Sequence, residues 1–140
     1  SSKGVVRGLH FQKEPKCQAK IVEVIKGSAI DVVVDMREDS PSFGKWTKVL
    51  LTPDNNRQLY VPRGFAHGFV SLEDDTIFHY LIDNDYAPEL EGGILWNDPE
   101  IGIDWEDIFK EYGIDKPLLS AKDVDREPLS KCKVRFRRDK

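Results

Sequence analysis

The chain has 140 residues, 39% of them hydrophobic and 33% charged, with 25 acidic side chains against 21 basic ones for a net charge of −4. A chain of this length folds around one core and buries roughly two-thirds of its unfolded surface. The negative balance excludes broad charge-driven binding to nucleic acid. No apolar run approaches the ~20 residues that span a membrane, and no signal peptide is visible.

Short β-rich runs separated by turn residues occupy the chain from Val5 to about Trp96. The pattern predicts strands near 5–12, 19–26, 28–36, 47–52, 57–62, 66–72, 76–83 and 93–96. The breaks between them, such as Lys26-Gly27-Ser28, Asp39-Ser40-Pro41, Pro53-Asp54-Asn55-Asn56 and Glu73-Asp74-Asp75, hold residues that turns favour. Strands so spaced predict a mainly β protein, a jelly-roll β-barrel.

In the first strand, strict alternation sets Arg7 and His10 on opposite faces, so a bulge near Gly8 is needed to turn both toward one site. In the second, Lys20 shares an apolar face with Val22 and Val24, where a lysine snorkels, pairs or functions. In 76–83, Phe78, Tyr80 and Ile82 share one face and Ile77, His79 and Leu81 the other, so His79 and Tyr80 cannot both line one cavity. His67 follows Pro62-Arg63-Gly64 at a strand entry, where it either ties down a loop or reaches a ligand.

After Asp98 the pattern changes. Asp104 is a candidate N-cap for a short helix ending at Gly113, and Ser120-Ala121-Lys122-Asp123 reads as a further cap or turn. Six cations in residues 131–140 read as a frayed, solvated terminus. Cys17 and Cys132 stand far apart, as free thiols of a reducing cytosol do.

Position 12, two after His10, holds Gln12, and neither His67 nor His79 has a histidine two residues away, so no metal site is expected. The P-loop, GxGxxG and GxSxG patterns are absent, which removes P-loop phosphoryl transfer, nicotinamide redox chemistry and α/β-hydrolase chemistry.

Read in order, Arg7-Gly8-Leu9-His10-Phe11-Gln12, Gln18-Ala19-Lys20, Asp39-Ser40-Pro41-Ser42-Phe43-Gly44-Lys45-Trp46, Arg57-Gln58-Leu59-Tyr60-Val61-Pro62 and Gly64-Phe65-Ala66-His67-Gly68-Phe69 form a specific series. Phe78-His79-Tyr80, Gly93-Ile94-Leu95-Trp96-Asn97-Asp98-Pro99 and Leu119-Ser120-Ala121-Lys122-Asp123 complete it. The series resembles the dTDP-4-dehydrorhamnose 3,5-epimerase family of cupin-fold sugar-nucleotide epimerases. The resemblance implies a single cupin domain over 1–140, without the N-terminal segment usual in the family, and a cytoplasmic homodimer. It implies epimerisation of dTDP-4-dehydro-6-deoxyglucose at C3 and C5, on the way to dTDP-L-rhamnose or a related deoxysugar.

By the same resemblance His10 is the general base, Tyr80 the proton donor, Asp123 the partner of the base and Lys20 the group that holds the keto oxygen. Arg7, Gln12, His67, Glu91 and Lys122 are implied as sugar- or diphosphate-contacting residues, and no cofactor or metal is implied. The chemistry is coherent, since a proton beside a ketone becomes removable when a cation stabilises the enolate and an acid stands ready to return a proton. Asn84-Asp85-Tyr86 replaces the paired aromatics common near the nucleotide base, which leaves the nucleotide open. The other readings are a single-centre epimerase, a 3,4-ketoisomerase and a non-catalytic cupin that binds a sugar nucleotide.

Overall fold

In the computed structural model, residues 2–132 and Phe136 are described. The strands are β1 (Val5–Gln12), β2 (Lys20–Lys26), β3 (Ala29–Asp35), β4 (Trp46–Leu51), β5 (Leu59–Val61), β6 (Phe65–Ser71), β7 (Ile77–Ile82), β8 (Glu91–Gly93) and β9 (Leu118–Leu119), with helices α1 (Trp105–Tyr112) and α2 (Ala121–Val124). They form two sheets. The larger runs β4-β3-β6-β1-β8 with β9 also on β1, and the smaller runs β5-β2-β7. The result is a jelly-roll sandwich whose two sheets are not joined into a closed barrel among the described residues.

Alternation sorts β3, which is buried along its whole length. Ile30, Val32 and Val34 pack with Val6, Leu9, Phe11, Ala66 and Val70 against a C-terminal layer of Trp105, Ile108, Phe109, Ile114 and Leu129. Ala29 and Val33 face the smaller sheet, where they meet Val22, Val24 and Val61. The larger sheet is thus the middle of three layers. On its other side the smaller sheet leaves an outer face with Tyr60, Ile25, Ile77 and Leu81 exposed.

The bulge expected near Gly8 is present. Arg7 pairs with Phe69 and His10 with His67, so three steps along β1 match two along β6. The crossing is tight: a Cβ at Gly8 would stand 2.7 Å from Gly68 Cα, and one at Gly68 would stand 2.5 Å from the Arg7 carbonyl oxygen. Gly8 also has φ +126, a conformation side chains rarely adopt.

Several boundaries differ from expectation. The strand expected at 57–62 shrinks to Leu59–Val61, because Arg57 lies in a turn braced by Asn55 and Pro62 has no amide to donate. The strand expected at 93–96 is instead Glu91–Gly93, a glycine pair lying against β1. A Cβ at Gly92 would come within 2.5 Å of the Phe11 ring and one at Gly93 within 2.6 Å of the Leu9 carbonyl. Strand β9, parallel to β1, was not foreseen.

Helix α1 ends at Gly113, at φ 67, ψ 38, as expected. Asp104 holds the N-cap position without capping, since its carboxylate accepts from Lys48 Nζ. Ser120 caps α2 by accepting from the Asp123 amide at 3.3 Å. The frayed tail lies largely outside the described residues, but Phe136 contradicts it at one point. Its side chain is buried edge-on against Phe11 and its backbone pairs with Met36 and Glu38.

Candidate functional site

Between the sheets lies a cavity of about 400 Å³ lined by Arg7, His10, Gln18, Lys20, His67, Phe69, Tyr80, Ile82 and Tyr86. The larger sheet supplies Arg7 and His10 from β1 and His67 and Phe69 from β6. The smaller sheet supplies Lys20 from β2 and Tyr80 and Ile82 from β7. Register explains the convergence, because Lys20 pairs with Ile82 and Val22 with Tyr80, placing all four on one face. His79 points the other way, with Nδ1 2.9 Å from Glu23 Oε1 on the outer surface.

The three rings step across the gap from one sheet to the other. His10 and His67 are edge-to-face at 6.3 Å, and His67 and Tyr80 edge-to-face at 6.2 Å. Phe69 and Phe78 meet at 4.1 Å beside them and form an apolar wall. Burial, then electrostatic repulsion from the neighbouring His67, Lys20, Lys122 and Arg126, pushes the His10 pKa down from 6.5 to about 3, so the imidazole is a neutral proton acceptor. Burial also lowers the pKa of Lys20, countered in part by Asp31 and Glu91. Burial and then the Asp31 charge raise that of the Tyr80 hydroxyl, against the opposing charge of Arg7, so Tyr80 keeps its proton. A base on one sheet, an acid on the other and a cation with no carboxylate within ion-pair distance among the described residues can together move a proton at a carbon next to a carbonyl.

Behind the cavity, Asp31 and His67 are both buried, with His67 Nε2 2.6 Å from Asp31 Oδ1. The contact is close but not aligned as a hydrogen bond, and the polar atoms of both side chains are otherwise unsatisfied. Sequence reading passed over Asp31. The available signal was a lone carboxylate amid the valines of Ala29–Asp35, where an ionised group needs a partner or a task. Arg126 was missed too. A Cβ at Gly93, the β8 partner of His10, would stand 2.9 Å from Arg126 Nε, which places this guanidinium on the His10 side of the sheet.

Other expected residues lie elsewhere. Asp123 makes no hydrogen bond to His10; its Oδ2 accepts from the Gly8 amide at 3.4 Å, so it holds the bulge that aims His10. Glu91 and Lys122 pair with each other, Lys122 Nζ lying 3.0 Å from both carboxylate oxygens, outside the cavity lining. Gln12, expected to touch substrate, is buried and its amide is occupied by backbone groups of the chain. Among the described residues no three His, Cys, Asp or Glu side chains are grouped to hold a metal ion.

A jelly-roll sandwich with acid–base groups converging between its sheets defines a cupin-type protein. The family model for dTDP-4-dehydrorhamnose 3,5-epimerase matches residues 1–131, and the chain belongs to that family. It is 48% identical over 125 residues to the dTDP-4-dehydrorhamnose 3,5-epimerase of Shigella flexneri, covering 89% of this chain and 65% of the relative, so the chain spans just under two-thirds of that protein. The rmlC epimerase of Mycobacterium tuberculosis superposes with a TM-score of 0.89 at 40% identity, over 99% of this chain and 69% of that one. The Bacillus anthracis enzyme, solved with TDP and PPi bound, gives a TM-score of 0.82 at 45% identity, over 91% and 69% of the two chains.

Asp31→Asn is expected to lower the Tyr80 pKa and lower that of Lys20 further, since Asp31 raises both. Ultraviolet difference titration of Tyr80, assigned with Tyr80→Phe, checks it; an unmoved transition would show that Asp31 does not reach the cavity.

Proposed function

We propose that the cavity epimerises a nucleoside-diphosphate 4-keto-6-deoxyhexose, dTDP-4-dehydro-6-deoxyglucose foremost, at C3 and C5. The observation that carries this reading is that His10 and Tyr80 stand on opposite sheets, with the Lys20 ammonium, in no ion pair among the described residues, lining the same cavity. Lys20 holds the 4-keto oxygen and stabilises the enolate as charge develops on it. His10 takes the proton from one face of the adjacent carbon, and Tyr80 returns one from the other, which inverts the centre. One ketone activates both neighbouring carbons, so a single apparatus serves both. Arg7, exposed at the edge of the cavity, suits the diphosphate. His67 orients the ring chain between base and acid.

Residues 1–140 act as one catalytic unit in this reading, and a cytosolic setting fits a soluble nucleotide-sugar substrate. No helix among the described residues is long and apolar enough to cross a membrane. The outer face of the smaller sheet, where Tyr60, Ile21 and Leu81 line up across three strands, is proposed as the homodimer surface. Light scattering is expected to give twice the chain mass, and Leu81→Asp to halve it. A monomer at micromolar concentration would count against that surface.

Incubation with dTDP-4-keto-6-deoxyglucose in D₂O, followed by NMR, is expected to show exchange at both C3 and C5, with His10→Ala slowing it ~10²–10⁴-fold. Exchange at one carbon would identify a single-centre epimerase. Tight binding without exchange would identify a non-catalytic cupin.

The pH profile has a definite sign. A base with its pKa lowered from 6.5 to about 3 stays unprotonated as the medium is acidified, so kcat/KM is expected to hold its plateau through pH 6.5. On the alkaline side Lys20 loses its proton below its ordinary 10.5, and activity declines there first. Half-maximal activity at the ordinary histidine value would mean that burial does not hold His10 neutral in the way the cavity implies.

A further inference from the structure

Residues 83–87 carry the chain from β7 of the smaller sheet toward β8 of the larger one, across the mouth of the cavity. Four of these five residues are pinned. Asp83 accepts from the Ala19 amide at 2.8 Å and from Arg63 at 2.9 Å. The Asn84 carbonyl accepts from Gln18 Nε2 at 2.9 Å. Gln12 holds the remaining two, donating from Nε2 to the Asp85 carbonyl at 2.8 Å and accepting at Oε1 from the Ala87 amide at 2.9 Å. Its second Nε2 hydrogen goes to the Lys16 carbonyl, so both donors and the acceptor are used, and the partners fix which way the amide points.

Between the two positions that Gln12 holds stands Tyr86, 66% exposed yet lining the cavity. Gln12 itself is 6% exposed and lies two residues from His10 on one face of β1, a separation of roughly 6.6 Å along a strand. We propose that Gln12 is a positioning residue that sets the Tyr86 ring at a fixed distance from His10, so that one strand determines where both ends of a bound nucleotide sugar lie. Gln12 thus grips both chain neighbours of an exposed aromatic that lines the cavity. The ligand part rests on the reading of the cavity given above.

The experiment is a double-mutant cycle of Gln12→Ala and Tyr86→Ala, with thymidine diphosphate binding by calorimetry, steady-state kinetics on dTDP-4-keto-6-deoxyglucose, and amide hydrogen exchange. Tyr86→Ala is expected to raise Kd and KM about tenfold, the scale of one lost stacking surface. Gln12→Ala is expected to match it with kcat within about threefold, and to add less than about twofold in the Tyr86→Ala background. Gln12→Glu, which sets a carboxylate oxygen against two carbonyls, is expected to behave like Gln12→Ala. Independent effects that multiply, or a loss in kcat alone, would overturn the proposal. Exchange at the Ala87 amide needs no ligand: lost protection in Gln12→Ala is expected, and unchanged protection overturns the clamp. If the unaltered chain neither binds nor turns over, the reading of the cavity fails, while exchange still decides the clamp. Should Gln12→Ala not fold, Gln12→Glu carries the same cycle.

Discussion

The added residue in β1 is the constraint on which the site depends. Without it Arg7 and His10 would face opposite sides of the larger sheet, and one of them would be driven into the layer of Trp105, Ile108 and Phe109. Three features hold the slip in place. Gly8 and Gly68 let the two backbones cross where no Cβ fits. On the other edge of β1, β9 pairs Val5 and Val6 and β8 pairs residues 10–12, which leaves the Gly8 amide in the gap. Asp123 fills that gap with its carboxylate, delivered there because β9 runs directly into the Ser120 cap of α2. A lost ladder bond is thereby replaced, and a buried amide is left with a partner.

Given that convergence, burial sets the protonation of each group. Desolvation disfavours whichever form is charged, so the same burial makes an imidazole neutral and keeps a phenol protonated. The outcome is an imidazole without its second proton and a phenol with its proton at one pH. Lys20 is destabilised as a cation by the same burial, and Asp31 offsets part of it. An ammonium held this way gains most from a neighbour that becomes negative, which is what an enolate oxygen does.

The strands and their faces were legible in the sequence because valine- and isoleucine-rich runs alternate with glycine and proline turns. The separation of His79 from Tyr80 followed from period two alone. The bulge was legible as a requirement: Arg7 and His10 in one motif demanded it. What stayed hidden depends on contacts far apart in the chain. Leu118 and Leu119 pair with β1 across more than a hundred residues and are too few to signal a strand. Asp123 and Gln12 carried a family resemblance but not the identity of their partners, the Gly8 amide and the 85–87 backbone, which depend on how loops close. Glu91 and Lys122 were readable as charges, and their mutual pairing was not.

The two sheets contribute unequally. The larger one is buried on both faces and fixes His10 and His67 firmly; the smaller one has three strands and a half-exposed outer face. A three-stranded sheet is marginal alone, so the position of Tyr80 relative to His10 depends on what ties the sheets together. At one end of the cavity the tie is the Phe69–Phe78 contact with the valines behind it. At the mouth it is polar: Gln12 reaches from the larger sheet and Gln18 and Arg63 from the borders of the smaller one, all onto residues 83–87. Directed hydrogen bonds to a backbone weaken steeply when misaligned, so they fix direction as well as distance. The mouth is therefore the end where the path of residues 83–87 between the sheets is fixed.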